Sequence, residues 1–526
     1  MTRVLPPSLA AILGLCLAAP LAGCKGKGGG PLAKAEPADD VYAKVPVPPA
    51  DGPKIFAVTA GVAIRERPST TAAKVGELRA GAAVARSNEA YRKDDCDGGW
   101  YAVRPRGFVC AGPTASVDPT LAARGLPAPP DLSHALPYRY ARARSENVPV
   151  YARVPSPTDQ LAAEPDLKKI LGHGDDKEPL GASANDVPLD ARGVASGPPV
   201  LLPTGEGIQD GRRTGAGFFA FPTEALAPSF APAGDGVKVG GLRKGTGVAV
   251  TGSVELESIS GLRRFAITPS GYLIPTDRLK PALGTPWHGI DLDKLGLPVA
   301  FVHKLGVHTF SFVKGKAVKH DDEVERRLAV PLTGKFRTVD GVRYEETREG
   351  EWMRAQDLVV IVKRHKYPDF VKGAQKWIDV SIANQTLTAY EGTRAIYATL
   401  ISAGRDQLKD PATSASTPRG TFRVAGRAVS RGLDPREVGG SFDVTDAPWV
   451  MELDPGTPAG TPSTSFALTG MYWGDGVGEA QTFHDVALTP IDAHRLWTWA
   501  GPELPEGWHA ASPDRDEAAT MVFVRP

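Results

Sequence analysis

Short apolar runs broken by turn residues recur along this chain, and most read as β-strands rather than helices. Between 53 and 115 they are Ile55-Phe56-Ala57-Val58, Val62-Ala63-Ile64, 75–78, 82–85, Trp100-Tyr101-Ala102-Val103 and Gly107-Phe108-Val109-Cys110. That spacing predicts a small antiparallel barrel. A second module is expected over 137–282, opening with strands at 138–143 and 148–153 and interrupted by a long loop insertion at 155–235. One short helical turn is expected inside that insertion, at 166–171. A third β module is expected over 290–362, with strands at 299–302, 309–313, 342–347 and 351–355. The last domain, 376–526, opens with alternating strands at 377–382 and 386–390 around Asn384-Gln385, and 394–403 is a third. In its second half, 466–468 and Val486-Ala487-Leu488 are strands flanking a Gly-rich loop. Pro490-Ile491-Asp492-Ala493 then opens a helix carrying Leu496 and Trp499, with Asp492 in its first turn.

Composition agrees with a multi-domain, mainly β protein. The 526 residues include 58 Gly and 48 Pro, roughly a fifth of the chain, which favours strands, turns and linkers over long helices. Lys plus Arg (61) nearly balance Asp plus Glu (60) for a net charge of +1, so nothing marks a nucleic-acid binder. Histidines 288, 303, 308 and 320 lack the spacing that a metal would require, and no metal or cofactor is expected.

The start of the chain carries Arg3 and then an apolar run, 9–21, too short to cross a membrane. This is the pattern of an export signal, 1–23. Leu21-Ala22-Gly23-Cys24 resembles the bacterial lipoprotein box, which implies lipidation of Cys24, a membrane anchor through that lipid, and residence in the bacterial cell envelope on the periplasmic face of the inner or outer membrane. Residues 24–52, rich in Gly, Pro, Ala and Lys, read as a flexible tether. Besides Cys24, the chain after the signal has only Cys96 and Cys110, which an exported compartment permits to pair as a disulfide.

An internal repeat links the first two modules. Lys74-Val75-Gly76-Glu77-Leu78-Arg79-Ala80-Gly81 recurs as Lys238-Val239-Gly240-Gly241-Leu242-Arg243-Lys244-Gly245, and Gly107-Phe108-Val109 as Gly271-Tyr272-Leu273. Gly350-Glu351-Trp352 takes the place of Gly99-Trp100-Tyr101 in the third. Ile64-Arg65-Glu66-Arg67-Pro68, Gly99-Trp100-Tyr101 and Gly107-Phe108-Val109 resemble bacterial Src-homology-3-like domains, which bind wall peptides or act as spacers.

The last domain resembles the L,D-transpeptidase catalytic family, cysteine enzymes that cross-link peptidoglycan. Thr417-Pro418-Arg419-Gly420-Thr421-Phe422, Asp446-Ala447-Pro448-Trp449-Val450-Met451 and the stretch 466–499 carry the resemblance. The register set by Gly470 and by Leu488-Thr489-Pro490-Ile491-Asp492-Ala493 places the family's His-Gly on Thr469-Gly470. Its Ser-His-Gly-Cys-Val-Arg/Asn-Leu falls on Thr482-Phe483-His484-Asp485-Val486-Ala487-Leu488. Asp485 then stands at the nucleophile, Phe483 and Thr469 at the histidines and Ala487 at the Arg or Asn. Acyl transfer through a thioester needs a thiolate and a base to form it, and no cysteine follows Cys110.

Two readings follow. In the first, the domain is inactive and binds peptidoglycan, wall peptides or a protein partner in a cleft near Thr469, Gly470, Tyr472, Trp473, His484 and Asp485. In the second, an enzyme acts on peptidoglycan, either by L,D-transpeptidase-type transfer or by altered hydrolytic chemistry in which Asp485, His484 and Asp475 converge as acid, base or ligands.

Overall fold

A computed structural model describes residue 42 and residues 45–58, 61–119, 129–152, 154–171, 238–433, 435–438, 442–455, 466–513 and 519–526. The export signal, Cys24, most of the tether and most of the 155–235 insertion lie outside the described residues. Every contact below falls within one compact unit, Pro46–Pro526. No helix among the described residues is long and apolar enough to cross a membrane.

In the first module Lys54–Ala57 pairs with Ala83–Ala85 and Ala115–Ser116, Val62–Arg65 with Lys74–Leu78, and Trp100–Ala102 with Phe108–Cys110. Cys96 is bonded to Cys110, with Cα atoms 5.8 Å apart. The second module pairs Arg139–Ala143 with Gly247–Val250 and Leu279–Pro281. A second sheet runs from Gly252–Ser258 through Gly261–Ile267 and Leu273–Pro275 to Val148–Tyr151 and Lys238–Leu242. Inside the expected insertion, a helix at Pro157–Ala163 precedes the turn at Leu167–Leu171. Ser156 and Asp159 close a reciprocal cap at the start of that helix.

Matched glycines of the repeat share one backbone conformation: φ is +90° at Gly81 and +86° at Gly245, and +84° at Gly107 and +82° at Gly271. A side chain is disfavoured at such φ values. The third module is a seven-stranded sheet. Two of its strands, Lys316–Val324 and Ala329–Val339, were not apparent in the sequence.

The last domain closes a sheet on itself. From Arg394–Leu400 the ladder passes to Thr386–Glu391, Lys376–Ser381, Met521–Arg525, Gly420–Leu433, Val444–Asp454, Phe466–Gly470 and Val486–Leu488. It returns to Ser402–Ala403, the continuation of its first strand. Alternation puts Phe466 and Leu468 into the main core with Trp449, Met451 and Leu496, leaving Ala467 and Thr469 to the opposite face. The helix, Pro490–Trp499, begins at Thr489, whose side chain accepts from the Asp492 amide. Asp492 does more than favour a helix start. It is fully buried and accepts hydrogen bonds from the Tyr397 hydroxyl (2.5 Å), the Thr399 hydroxyl and the Gly289 amide (3.0 Å). Burial raises its carboxyl above the usual range despite those donors.

The modules are sewn to the last domain. Gly76 and Glu77 pair with Ala511 and Ala510, Trp508 and Ala511 sit in the core of the first module, and Gly247 bridges to Val444.

Candidate functional site

Thr469 and Ala487 face each other across the parallel ladder of Phe466–Gly470 and Val486–Leu488. Asp485 immediately precedes the second strand. Its Oδ1 accepts from the Ala467 amide at 2.7 Å, and its Oδ2 lies 3.6 Å from Arg431 Nη2, an ion pair. Arg431 also approaches Glu437 at 3.7 Å and Glu452 at 3.6 Å. The Asp485 carbonyl accepts from the Thr482 hydroxyl at 2.6 Å. Thr469, Asp485 and Ala487 are 1 %, 2 % and 1 % exposed, so none of them meets solvent.

The apolar cluster that holds Ala487 draws on side chains from outside the last domain. Ala487, Tyr472 and Trp473 share one apolar cluster with Leu136, just before the second module, with Tyr138 and Tyr140 of that module, and with Val299 and Phe301 of the third. The Tyr472 ring lies 4.1 Å from that of Tyr140, centroid to centroid. Burial pushes both phenols well above the ordinary tyrosine range, so neither ionises near neutral pH. The Thr469 hydroxyl is buried with no hydrogen-bond partner among the described residues. The expected ligand-cleft residues Thr469, Gly470 and Tyr472 are thus brought together, but as packed core. Apolar residues at 136–140 gave no sign in the sequence of where they would pack; only a tertiary contact reveals it.

The polar candidates do not assemble. His484 donates from Nε2 to the Pro411 and Ser414 carbonyls at 3.1 and 3.2 Å, and its ring stacks obliquely on Phe483, 4.2 Å between centroids. Asp475 is exposed and paired with Arg327 of the third module. Asp475, His484 and Asp485 are each held by different partners. Among the described residues, no group of three or more His, Cys, Asp or Glu side chains is arranged to hold a metal ion.

The last domain is thus a closed sheet with one packed helix, Pro490–Trp499. Residues 375–500 match the family described as YkuD, the L,D-transpeptidase catalytic domain. The last domain of this chain is an L,D-transpeptidase-family domain. A Bacillus subtilis protein named as a candidate L,D-transpeptidase, YciB, is 46 % identical over 59 residues, covering 11 % of this chain and 28 % of that protein. The chain thus spans little more than a quarter of that relative. Among solved structures, an L,D-transpeptidase fragment from Xylanimonas cellulosilytica is 18 % identical with a TM-score of 0.20, covering 30 % of this chain and 65 % of that one. The catalytic domain of an E. faecium L,D-transpeptidase is 17 % identical with a TM-score of 0.21, covering 29 % of this chain and 98 % of that one.

Proposed function

We propose that this chain is an exported lipoprotein, anchored through Cys24 in the bacterial envelope, whose L,D-transpeptidase-type domain does not perform acyl transfer and instead binds peptidoglycan or an envelope partner. The carrying observation is the burial of Thr469, Asp485 and Ala487, none of them more than 2 % exposed. In the register above these stand where the family has a histidine, the nucleophilic cysteine and an Arg or Asn. A buried carboxylate committed to the Ala467 amide and Arg431 is neither accessible nor polarizable enough to replace a thiolate. The domains in this reading are a signal at 1–23, a tether at 24–52, Src-homology-3-like spacers or wall-peptide binders at 53–115 and 137–282, a third β module at 290–362, and the transpeptidase-type domain at 376–526.

Mass spectrometry of the purified full chain, incubated with a tetrapeptide-stem muropeptide, with a D-amino acid acceptor and separately with a carbapenem, tests this. The expected result is no released D-Ala, no exchanged product and no adduct, together with retention on isolated sacculi or on an envelope protein. Any covalent adduct overturns it.

A further inference from the structure

Where the third module hands over to the last domain, the strand Leu358–Ile361 runs into Val362-Lys363-Arg364-His365-Lys366, a stretch with four basic side chains in succession. Charge runs of this kind usually spread over a solvated surface. Here the run closes one wall of a recess of about 340 Å³. The other wall is the sheet of the last domain, with Asp379 on Lys376–Ser381, Thr386 opening Thr386–Glu391, and Arg525 ending Met521–Arg525.

A single carboxylate organises these charges. Asp379, 4 % exposed, accepts from Arg364 Nη1 at 2.7 Å and from Arg525 Nε at 3.0 Å, so two guanidinium groups from distant segments are held on one buried acid. Arg364 is oriented further by its Nε, which donates to the Lys366 carbonyl at 3.2 Å, and by the Phe523 ring, 5.5 Å away. Arg525 Nη1 donates to the Ser381 hydroxyl at 3.3 Å and to the Pro526 carbonyl at 3.4 Å. Both arginine side chains nevertheless stay open to solvent, 20 % and 36 % exposed. Among the described residues Asp379 is the only carboxylate lining the recess, and the two arginines share it. Lys363 and Lys366 therefore find no anion there, and four permanent cations face one acid.

We propose that this recess binds a phosphate ester, its oxygens held by Arg364, Arg525, Lys363 and Lys366, with Asp379 positioning the two arginines. Cations gathered in a concave site focus a positive potential on whatever enters. A monocarboxylate offsets one of the surplus charges, whereas a phosphomonoester brings close to two, roughly, and three acceptor oxygens that guanidinium forks and ammonium groups engage together. A soluble phosphomonoester and the headgroup of an anionic phospholipid both offer this chemistry.

Calorimetry on the full chain in phosphate-free buffer tests it with glycerol 3-phosphate and, at matched ionic strength, with acetate. Saturable binding of glycerol 3-phosphate and none of acetate is expected. Changing Lys363→Gln and Lys366→Gln together should weaken that binding by about tenfold or more. Both lysines are exposed, so the double change does not threaten the fold. Lys335→Gln with Lys409→Gln removes the same charge from positions outside the recess and should leave the affinity unchanged. Sedimentation with vesicles of phosphatidic acid against vesicles of phosphatidylcholine separates the two sources. Preferential capture by phosphatidic acid that the Lys363/Lys366 variant loses, without binding of glycerol 3-phosphate, assigns the recess to a lipid headgroup. No binding in either arm, equal affinity for acetate, or an equal loss in both double variants overturns the proposal.

Discussion

The Trp508 ring lies so close to Gly76 that a β-carbon built on Gly76 would fall 2.2 Å from it, and 2.9 Å from the Ala510 carbonyl. Glycine is required here by approach rather than by backbone angle, because the segment 508–511, with its strand Ala510–Ala511, and the first module interlock at this point. Gly76→Ala should therefore cost at least the about 1–3 kcal/mol typical of overpacking. A urea titration showing an unchanged midpoint would mean that the interlock does not form.

Restoring a thiol should not restore chemistry. Asp485→Cys would place sulfur at a buried position with no imidazole available to it, since His484 is committed to the Pro411 and Ser414 carbonyls. The variant is expected to show no mass increase after prolonged incubation with a carbapenem. Asp485→Ala, in contrast, leaves the Ala467 amide unsatisfied and should cost about 1–3 kcal/mol.

Asp492 holds Tyr397, Thr399 and the Gly289 amide together beneath the helix. Asp492→Ala strands three buried donors and should cost about 3 kcal/mol or more, whereas Asp492→Asn keeps one acceptor oxygen and should cost less. Thermal unfolding of the two variants side by side reads the difference.

Burial, with Arg79 and Lys74 nearby, holds the His509 imidazole well below the ordinary histidine range. In the unfolded chain this group takes up a proton near pH 6.5; in the folded chain it does not. The unfolded state therefore binds more protons below that pH, and stability is lost as pH falls, by up to about 1.4 kcal/mol per unit from this group. His509→Gln should flatten the difference in urea midpoint between pH 6.5 and 5 relative to the parent chain.

Replacing Cys96 and Cys110 by serine should destabilise by about 3 kcal/mol, the value for a closed loop of about 15 residues. Melting with and without reductant checks it, and an unchanged melting temperature on reduction would exclude the cross-link.

Local pattern carried much of the fold. Val299–Val302, Val342–Thr347 and Thr386–Glu391 are strands where apolar runs or alternation placed them, because at least one face of each is buried. Lys316–Val324 and most of Ala329–Val339 escaped because both of their faces meet solvent; a sequence such as KAVKHDDEV has no reason to alternate. Trp499, expected at helical spacing with Leu496, is half-buried against the same core, and Trp497, not singled out in the sequence, is buried there as well with Arg427 over its ring. The family resemblance was legible because it resides in strand and turn residues, and the match falls on 375–500. The packing of Ala487 with Tyr138 and Tyr140 was not legible, since it joins side chains far apart in the chain.

The pairing of Gly76 and Glu77 with Ala511 and Ala510 also orders events in time. A chain is synthesised from its first residue, and domains generally fold as they emerge. Here the earliest module cannot complete its core until the last segment arrives with Trp508 and Ala511. Any product truncated before that segment carries an open strand edge and an unfilled core, the features that invite aggregation and degradation. Loss of 508–511 is therefore expected to expose the first module to proteolysis before the rest of the fold.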